Sequence, residues 1–219
     1  MKKLLIVAAT EFEIQPLLKA LNAVLPIKSG IINSFSYKKL QIDVLVTGVG
    51  MVNTAFAMGS LKNQNYNLVI NAGVCGAFNE EIKIGELVNV VEDCFPELGA
   101  ENGDSFLTLS EMGLGNENVK NENCFTNSQI EIFKKVKGLT VNTVHGSEKS
   151  IEKIKARLNA DIETMEGAAF LMACNTYKWK AVQIRTVSNK VEVRNKDNWK
   201  MPLAIANLND FLIHLLNHL

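Results

Sequence analysis

The sequence predicts an α/β fold in one domain, with a central mixed, mostly parallel sheet. Three observations carry that reading. Short apolar runs of strand length alternate with stretches of helical periodicity. Glycine-bearing turns follow several of the runs. No shift in composition marks a linker, so residues 1–219 read as a single domain.

The elements follow in order. Leu4–Ala9 is a buried strand, and Thr10 opens a helix to about Leu21, with Ile14, Leu17, Leu18 and Leu21 at helical spacing. Ile42–Thr47 is a second buried strand, which Gly48-Val49-Gly50 turns into a helix from about Met51 to Asn63. Leu68–Asn71 is a third strand with a glycine-bearing exit through Gly76, and Gly85–Val91 is a fourth. Residues 96–128 are polar, rich in Gly and Asn, and nearly without periodicity, so they read as a long functional or mobile loop. Leu139–Val144 is a short strand, Glu148–Arg157 and Met165–Tyr177 are helices, and Ala181–Val187 is a further buried strand. An amphipathic helix over Pro202–Leu219 closes the chain.

Composition narrows the function classes. Lys+Arg and Asp+Glu balance at 23 each, which gives no basic face for nucleic acid or for an anionic membrane. The apolar run after Lys2-Lys3 is too short for a secretory segment, and no run reaches the length of a membrane span. A cytoplasmic protein is the expectation. Cys75, Cys94, Cys124 and Cys174 form no C-x-x-C unit, and with His145, His214 and His218 they offer no metal spacing. No metal or other cofactor is expected, and the cysteines are expected to be buried and reduced.

Three polar clusters fall at strand ends, where an open α/β sheet receives a small ligand. They are Thr10-Glu11-Phe12-Glu13, Met165-Glu166 and Ser188-Asn189-Lys190. Each also has a plain structural reading. Thr10-x-x-Glu13 fits a capping box, Glu166 suits the first turn of a helix, and Asn189 suits a turn. The sharper reading makes Glu13 a base for water, provided that burial lifts its pKa. Gly48-Val49-Gly50 lacks the remaining marks of a nucleotide fingerprint and reads better as a tight turn. Arg194–Trp199 is either a solvated loop anchored by Trp199 or a rim for an aromatic, anionic group.

Together these pieces resemble the purine nucleoside phosphorylase/nucleosidase superfamily over nearly the whole chain, in the family's motif order. Ala9–Ile14 is similar to the first-strand exit of the methylthioadenosine/S-adenosylhomocysteine nucleosidases. Asn71–Phe78 resembles their base-pocket loop, Thr164–Ala169 their Met-Glu ribose motif, and Arg185–Lys190 their Ser-Asp segment. The departure is Asn189, where an adenine-specific nucleosidase places Asp. An amide cannot act as a full acid but offers both a donor and an acceptor, which suits a 6-oxopurine.

The tail Ser188–Trp199 resembles the futalosine hydrolase branch, whose substrate carries a benzoate beyond the ribose. The resemblance implies a three-layer nucleosidase fold and hydrolysis of futalosine to hypoxanthine and dehypoxanthine futalosine. The alternatives are a methylthioadenosine/S-adenosylhomocysteine nucleosidase and a purine nucleoside phosphorylase. It implies Glu13, Glu166 and Asn189 as catalytic residues. Met165, Val74, Cys75, Gly76, Ser188, Arg194 and Trp199 would bind a small purine nucleoside, with Arg194 or Lys190 pairing the benzoate. Residues 145–150 fall near the base without an assigned role. The resemblance also implies a homodimer or larger assembly. Phosphorylases of this kind hold phosphate with arginines from the N-terminal half, and this chain has no Arg before Arg157. Water is therefore the expected nucleophile.

Overall fold

A computed structural model describes all 219 residues. Its eleven strands and six α-helices run in the order β1 (Lys2–Ala8), α1 (Gln15–Ala20), β2 (Ile32–Tyr37), β3 (Leu40–Val46), α2 (Met51–Gly59), β4 (Leu68–Ala77) and β5 (Leu87–Cys94). There follow β6 (Gly99–Asn102), β7 (Ser105–Thr108), β8 (Asn118–Lys120), α3 (Ser128–Glu131), β9 (Lys134–Thr140), α4 (Glu148–Arg157) and β10 (Ile162–Thr164). The chain ends with α5 (Gly167–Tyr177), β11 (Ala181–Lys190) and α6 (Met201–Asn217).

The main sheet has the order β10-β9-β5-β11-β4-β1-β3-β2, with β8 added to β5. β1 pairs in parallel with β3 and β4, β11 with β4, and β9 with β5 and β10. The pairing of β11 with β5 is antiparallel, so the sheet is mixed and mostly parallel, as the sequence predicts. β10 also pairs antiparallel with β4, so strands β4, β11, β5, β9 and β10 close into a ring. Cys75, Ala77, Val88, Val90, Val136, Ile162 and Val187 form one buried apolar cluster within it.

Both faces of β1 are buried, which is why its sequence is a continuous apolar run. Leu4, Ile6 and Ala8 pack with α1 and α6 residues such as Leu17, Leu208 and Leu212. Leu5 and Val7 point the other way, to Met58 of α2 and to Phe170 and Leu171 of α5. A helical layer thus covers each face of the β1 region.

Several expected elements shift for physical reasons. The helix expected from Thr10 to Leu21 is split into a 3-10 turn at Phe12–Ile14 and then α1, with Pro16 in the first turn of α1. β4 does not end at Asn71 but continues to Ala77, because β11 and β10 supply backbone partners along residues 72–77. The strand expected at 139–144 is instead Lys134–Thr140. Lys134, Lys135 and Lys137 are exposed and hid its period-two pattern, while Val136 points inward. β2 is a half-exposed edge strand whose polar sequence carries no clear strand pattern. Residues 96–128 hold β6, β7 and β8 rather than one structureless loop. Cys75, Cys94 and Cys174 are buried as expected, but Cys124 is exposed. No helix is long and apolar enough to cross a membrane.

Candidate active site

A cavity of about 420 Å³ lies where β1, β4, β10 and β11 end or pass into their loops. Thr10, Glu13, Val74, Cys75, Gly76, Met165, Glu166, Ser188, Asn189 and Trp199 all line it. The three polar clusters of the sequence therefore meet in one place. Two of the expected contacts do not reach it. Arg194 lies over the ring of Trp199 at 5.1 Å, outside the lining, with its backbone N–H donating to Gly146 O at 3.0 Å. The ammonium of Lys190 donates to the carbonyls of Asn79, Glu80 and Ile82 at 2.8–3.0 Å and is occupied there.

One end of the cavity is built around two buried carboxylates. Glu13 is 7% exposed and accepts three hydrogen bonds. Val74 N–H donates to Oε1 at 3.1 Å, and the Thr10 N–H and hydroxyl both donate to Oε2 at 3.0 Å. Glu13 N–H also donates to Thr10 Oγ1 at 3.4 Å, so the capping-box reading and the cavity-facing reading hold together. Burial pushes the Glu13 carboxyl above the ordinary carboxylate range, and the Arg185 guanidinium pulls it part of the way back. Glu166 is 6% exposed and precedes α5. Its Oε1 accepts from Gly50 N–H at 3.1 Å. Gly50 can offer that donor because it turns the chain into α2 with φ +100°, a conformation that other residues rarely adopt.

Arg185 ties this end together, and the sequence reading gave it no role. It is wholly buried on β11, donates from Nη2 to Asn71 Oδ1, and places Nη1 3.7 Å from Glu166 Oε2. It reaches the carboxylates across Gly73 of β4, its register partner, where a Cβ would overlap Nη1 and crowd Glu13 Oε1. A signal was available in the sequence. A charged side chain in the middle of a buried strand must find opposite charge, because an unpaired buried ion is prohibitively costly.

The other end is built by a bulge. The β11–β4 register shifts between Val187 and Asn189, so Ser188 is the extra residue and Asn189 stands opposite Gly76. The Ser188 hydroxyl lies 2.8 Å from Asn189 Oδ1 and 3.1 Å from Cys75 O, and the Asn189 amide donates to Lys190 O at 2.7 Å. These contacts fix which way the amide faces. Burial pushes the Cys75 thiol up to about 12, so it stays a neutral wall of the cavity. Glu163 and His145 also line this end. The sequence reading gave neither a role, although Glu163 stands three residues before Glu166. Phe12, Val49, Trp199 and Met201 supply apolar surface to the same cavity, with Phe12 and Val49 exposed.

The cavity lining contains no Lys or Arg, and no cluster of His, Cys, Asp and Glu is arranged to hold a metal ion. With Arg185 sealed behind Gly73, no cation lies on the cavity surface to hold a free phosphate.

Comparison with known proteins agrees with this architecture. The family model of the phosphorylase superfamily matches residues 3–113. A futalosine hydrolase of Streptomyces coelicolor is 30% identical over 177 residues, covering 77% of this chain and 75% of that one. A 5′-methylthioadenosine/S-adenosylhomocysteine nucleosidase of Buchnera aphidicola is 26% identical over 215 residues, covering 94% and 92%. A crystal structure of the Helicobacter pylori 5′-methylthioadenosine/S-adenosylhomocysteine nucleosidase superposes with a TM-score of 0.83 at 17% identity, covering 100% of this chain and 99% of that one. On its sequence and on its fold, the chain belongs to the phosphorylase superfamily.

Proposed function

We propose that the protein is an N-glycosyl hydrolase whose substrate is futalosine, releasing hypoxanthine. One observation carries the reading. A single cavity joins a buried carboxylate pair, Glu13 and Glu166, to a neutral amide, Asn189, with no cation on its surface. Relatives that carry the name futalosine hydrolase, in Streptomyces coelicolor and Thermus thermophilus, support the same choice.

The chemistry follows from the two ends. Cleavage of the C1′–N9 bond builds positive charge on the sugar and negative charge on the base. Glu166, beside the sugar, binds the ribose hydroxyls and stabilises the oxocarbenium character, a benefit that grows in the transition state. Glu13 takes a proton from water as its oxygen bonds to C1′. Its raised pKa makes it a better base than an ordinary carboxylate. Arg185 keeps both carboxylates in place and limits how far burial can neutralise Glu13. Asn189 holds the departing base without giving it a proton. A 6-oxopurine leaves more readily as an anion than adenine does, so an amide is enough for it. The absence of a surface cation in the cavity favours water over phosphate.

The test is base release from futalosine and from methylthioadenosine, side by side and without phosphate. Hypoxanthine from futalosine alone is the expected result. Adenine from methylthioadenosine would instead establish the reading favoured by the long match to the Buchnera nucleosidase. Release only on adding phosphate would make the protein a phosphorylase.

A further inference from the structure

Glu163 and His145 form a pair, the first buried and the second half-buried, that the chemistry above does not use. Glu163 is 4% exposed, on β10. Both of its oxygens are taken by one residue. His145 N–H donates to Oε1 at 3.0 Å, and the imidazole Nδ1 lies 2.6 Å from Oε2. The clamp fixes the imidazole in position and orientation, and the edge of Phe78 packs against it at 6.0 Å. With Nδ1 donating to the carboxylate, the imidazole offers Nε2, which has no partner in the protein, as an acceptor.

The pair also lies at the end of the cavity that takes the base. A Cβ on Gly76 would stand 3.3 Å from the Asn189 amide nitrogen and 3.7 Å from Glu163 Cγ, so these two side chains flank the same glycine. Val144 and His145 line the cavity with them. Burial raises the Glu163 carboxyl, and the hydrogen bonds from His145 draw it part of the way back.

We propose that His145, its tautomer fixed by Glu163, is a specificity-determining residue that selects a 6-oxopurine over a 6-aminopurine through an acceptor at Nε2. The inference rests on the nucleosidase reading and deepens it. A 6-oxopurine carries a hydrogen on N1, which an acceptor welcomes. Adenine has a lone pair at N1, which would meet the lone pair of Nε2. Asn189, its amide held by Ser188 and Lys190, reads the imidazole side of the purine, and His145 reads the pyrimidine side. His145 cannot turn, because Glu163 holds both its backbone and its ring.

Glu163→Gln separates this role from a structural one. The Gln carbonyl can still accept from His145 N–H, but its amide would donate to Nδ1 and move the ring hydrogen to Nε2. Acceptor becomes donor with no loss of volume. The assay is kcat/KM for futalosine and for its 6-amino analogue in wild type, E163Q and H145F. The expected result is that the preference for the 6-oxo substrate falls about tenfold or more in both variants, as the loss or reversal of one buried hydrogen bond implies. In E163Q the loss should come with a gain on the 6-amino substrate. An equal fall on both substrates, or an unchanged ratio, would overturn the assignment. Binding of free hypoxanthine against free adenine, by calorimetry, applies the same criterion to any variant too slow to assay. If wild type releases base from neither nucleoside, the nucleosidase reading fails, and the free-base binding ratio still decides the role of His145.

Discussion

The two ends of the cavity are built in different ways. The carboxylate end draws on the frame of the sheet: Glu13 follows β1, Arg185 sits within β11, Asn71 within β4, and Glu166 joins β10 to α5. Its polar groups are buried: the two carboxylates accept from backbone amides and Arg185 donates to Asn71, while Arg185 Nη1 meets Glu166 only as an ion-pair contact and Nε has no hydrogen-bond partner. The base end draws on irregularities. Ser188 and Asn189 project from a bulge, and His145 comes from the loop between β9 and α4. The first arrangement is costly to alter because charge balance and fold share the same residues. On the proposed function, the second can change the base it accepts through single side chains, and the chemistry and the choice of base are separable within one frame.

Breaking the carboxylate end should show first as lost stability. Arg185→Met leaves Glu13 and Glu166 buried without their cation, and the expected loss is about 3–5 kcal/mol in denaturant unfolding. Any folded fraction should also need a higher pH for activity, because Arg185 is what draws the Glu13 pKa down. Unchanged stability would mean that the two carboxylates are balanced by something other than Arg185.

Removing the carboxylates one at a time should reach catalysis instead. Glu13→Gln and Glu166→Gln keep the volume and should each lower kcat by on the order of 100-fold or more. Full activity in Glu13→Gln would remove the water-activating role.

A third prediction concerns the support beneath α5. Asp93 is buried against Gln183, Thr140 and the Cys94 amide, at a place where Gly138 and Gly167 leave room for it. Burial pushes its carboxyl up to about 6, from an ordinary value near 3.8. Between those values the folded protein holds a proton that the unfolded chain has lost. Stability therefore falls as pH rises through that window, by about 3 kcal/mol from this group. Asp93→Asn should flatten that slope in thermal unfolding between pH 4 and 7. A slope unchanged by the substitution would assign it to other groups.

What the sequence made legible follows the same division. The apolar runs of β1, β3 and β11 and the helices α4 and α6 are visible because burial on one or both faces leaves a simple pattern. Glu13 and Asn189 could be picked out because each follows or ends such a run, and Glu166 because with Met165 it opens a helix. The limits of β4 could not be seen, since partners distant in sequence extend it past its glycines. β9 was hidden by three exposed lysines, and β2 by the mixed pattern of an edge strand. Arg185 was visible as a charge but not as a hub, because its partners lie 19 to 172 positions away. The His145–Glu163 clamp left no local mark, since its spacing of 18 residues fits no periodic element.

The most direct test of the central claim compares Glu13→Gln and Asn189→Asp on futalosine and its 6-amino analogue. The account predicts that Glu13→Gln lowers kcat/KM for both substrates by the same factor and leaves their ratio intact. Asn189→Asp, which supplies an acid able to protonate a departing adenine, should shift the ratio toward the 6-amino substrate by about tenfold or more. A ratio that moves with Glu13, or stays fixed when Asn189 becomes Asp, would contradict the separation of chemistry from base choice.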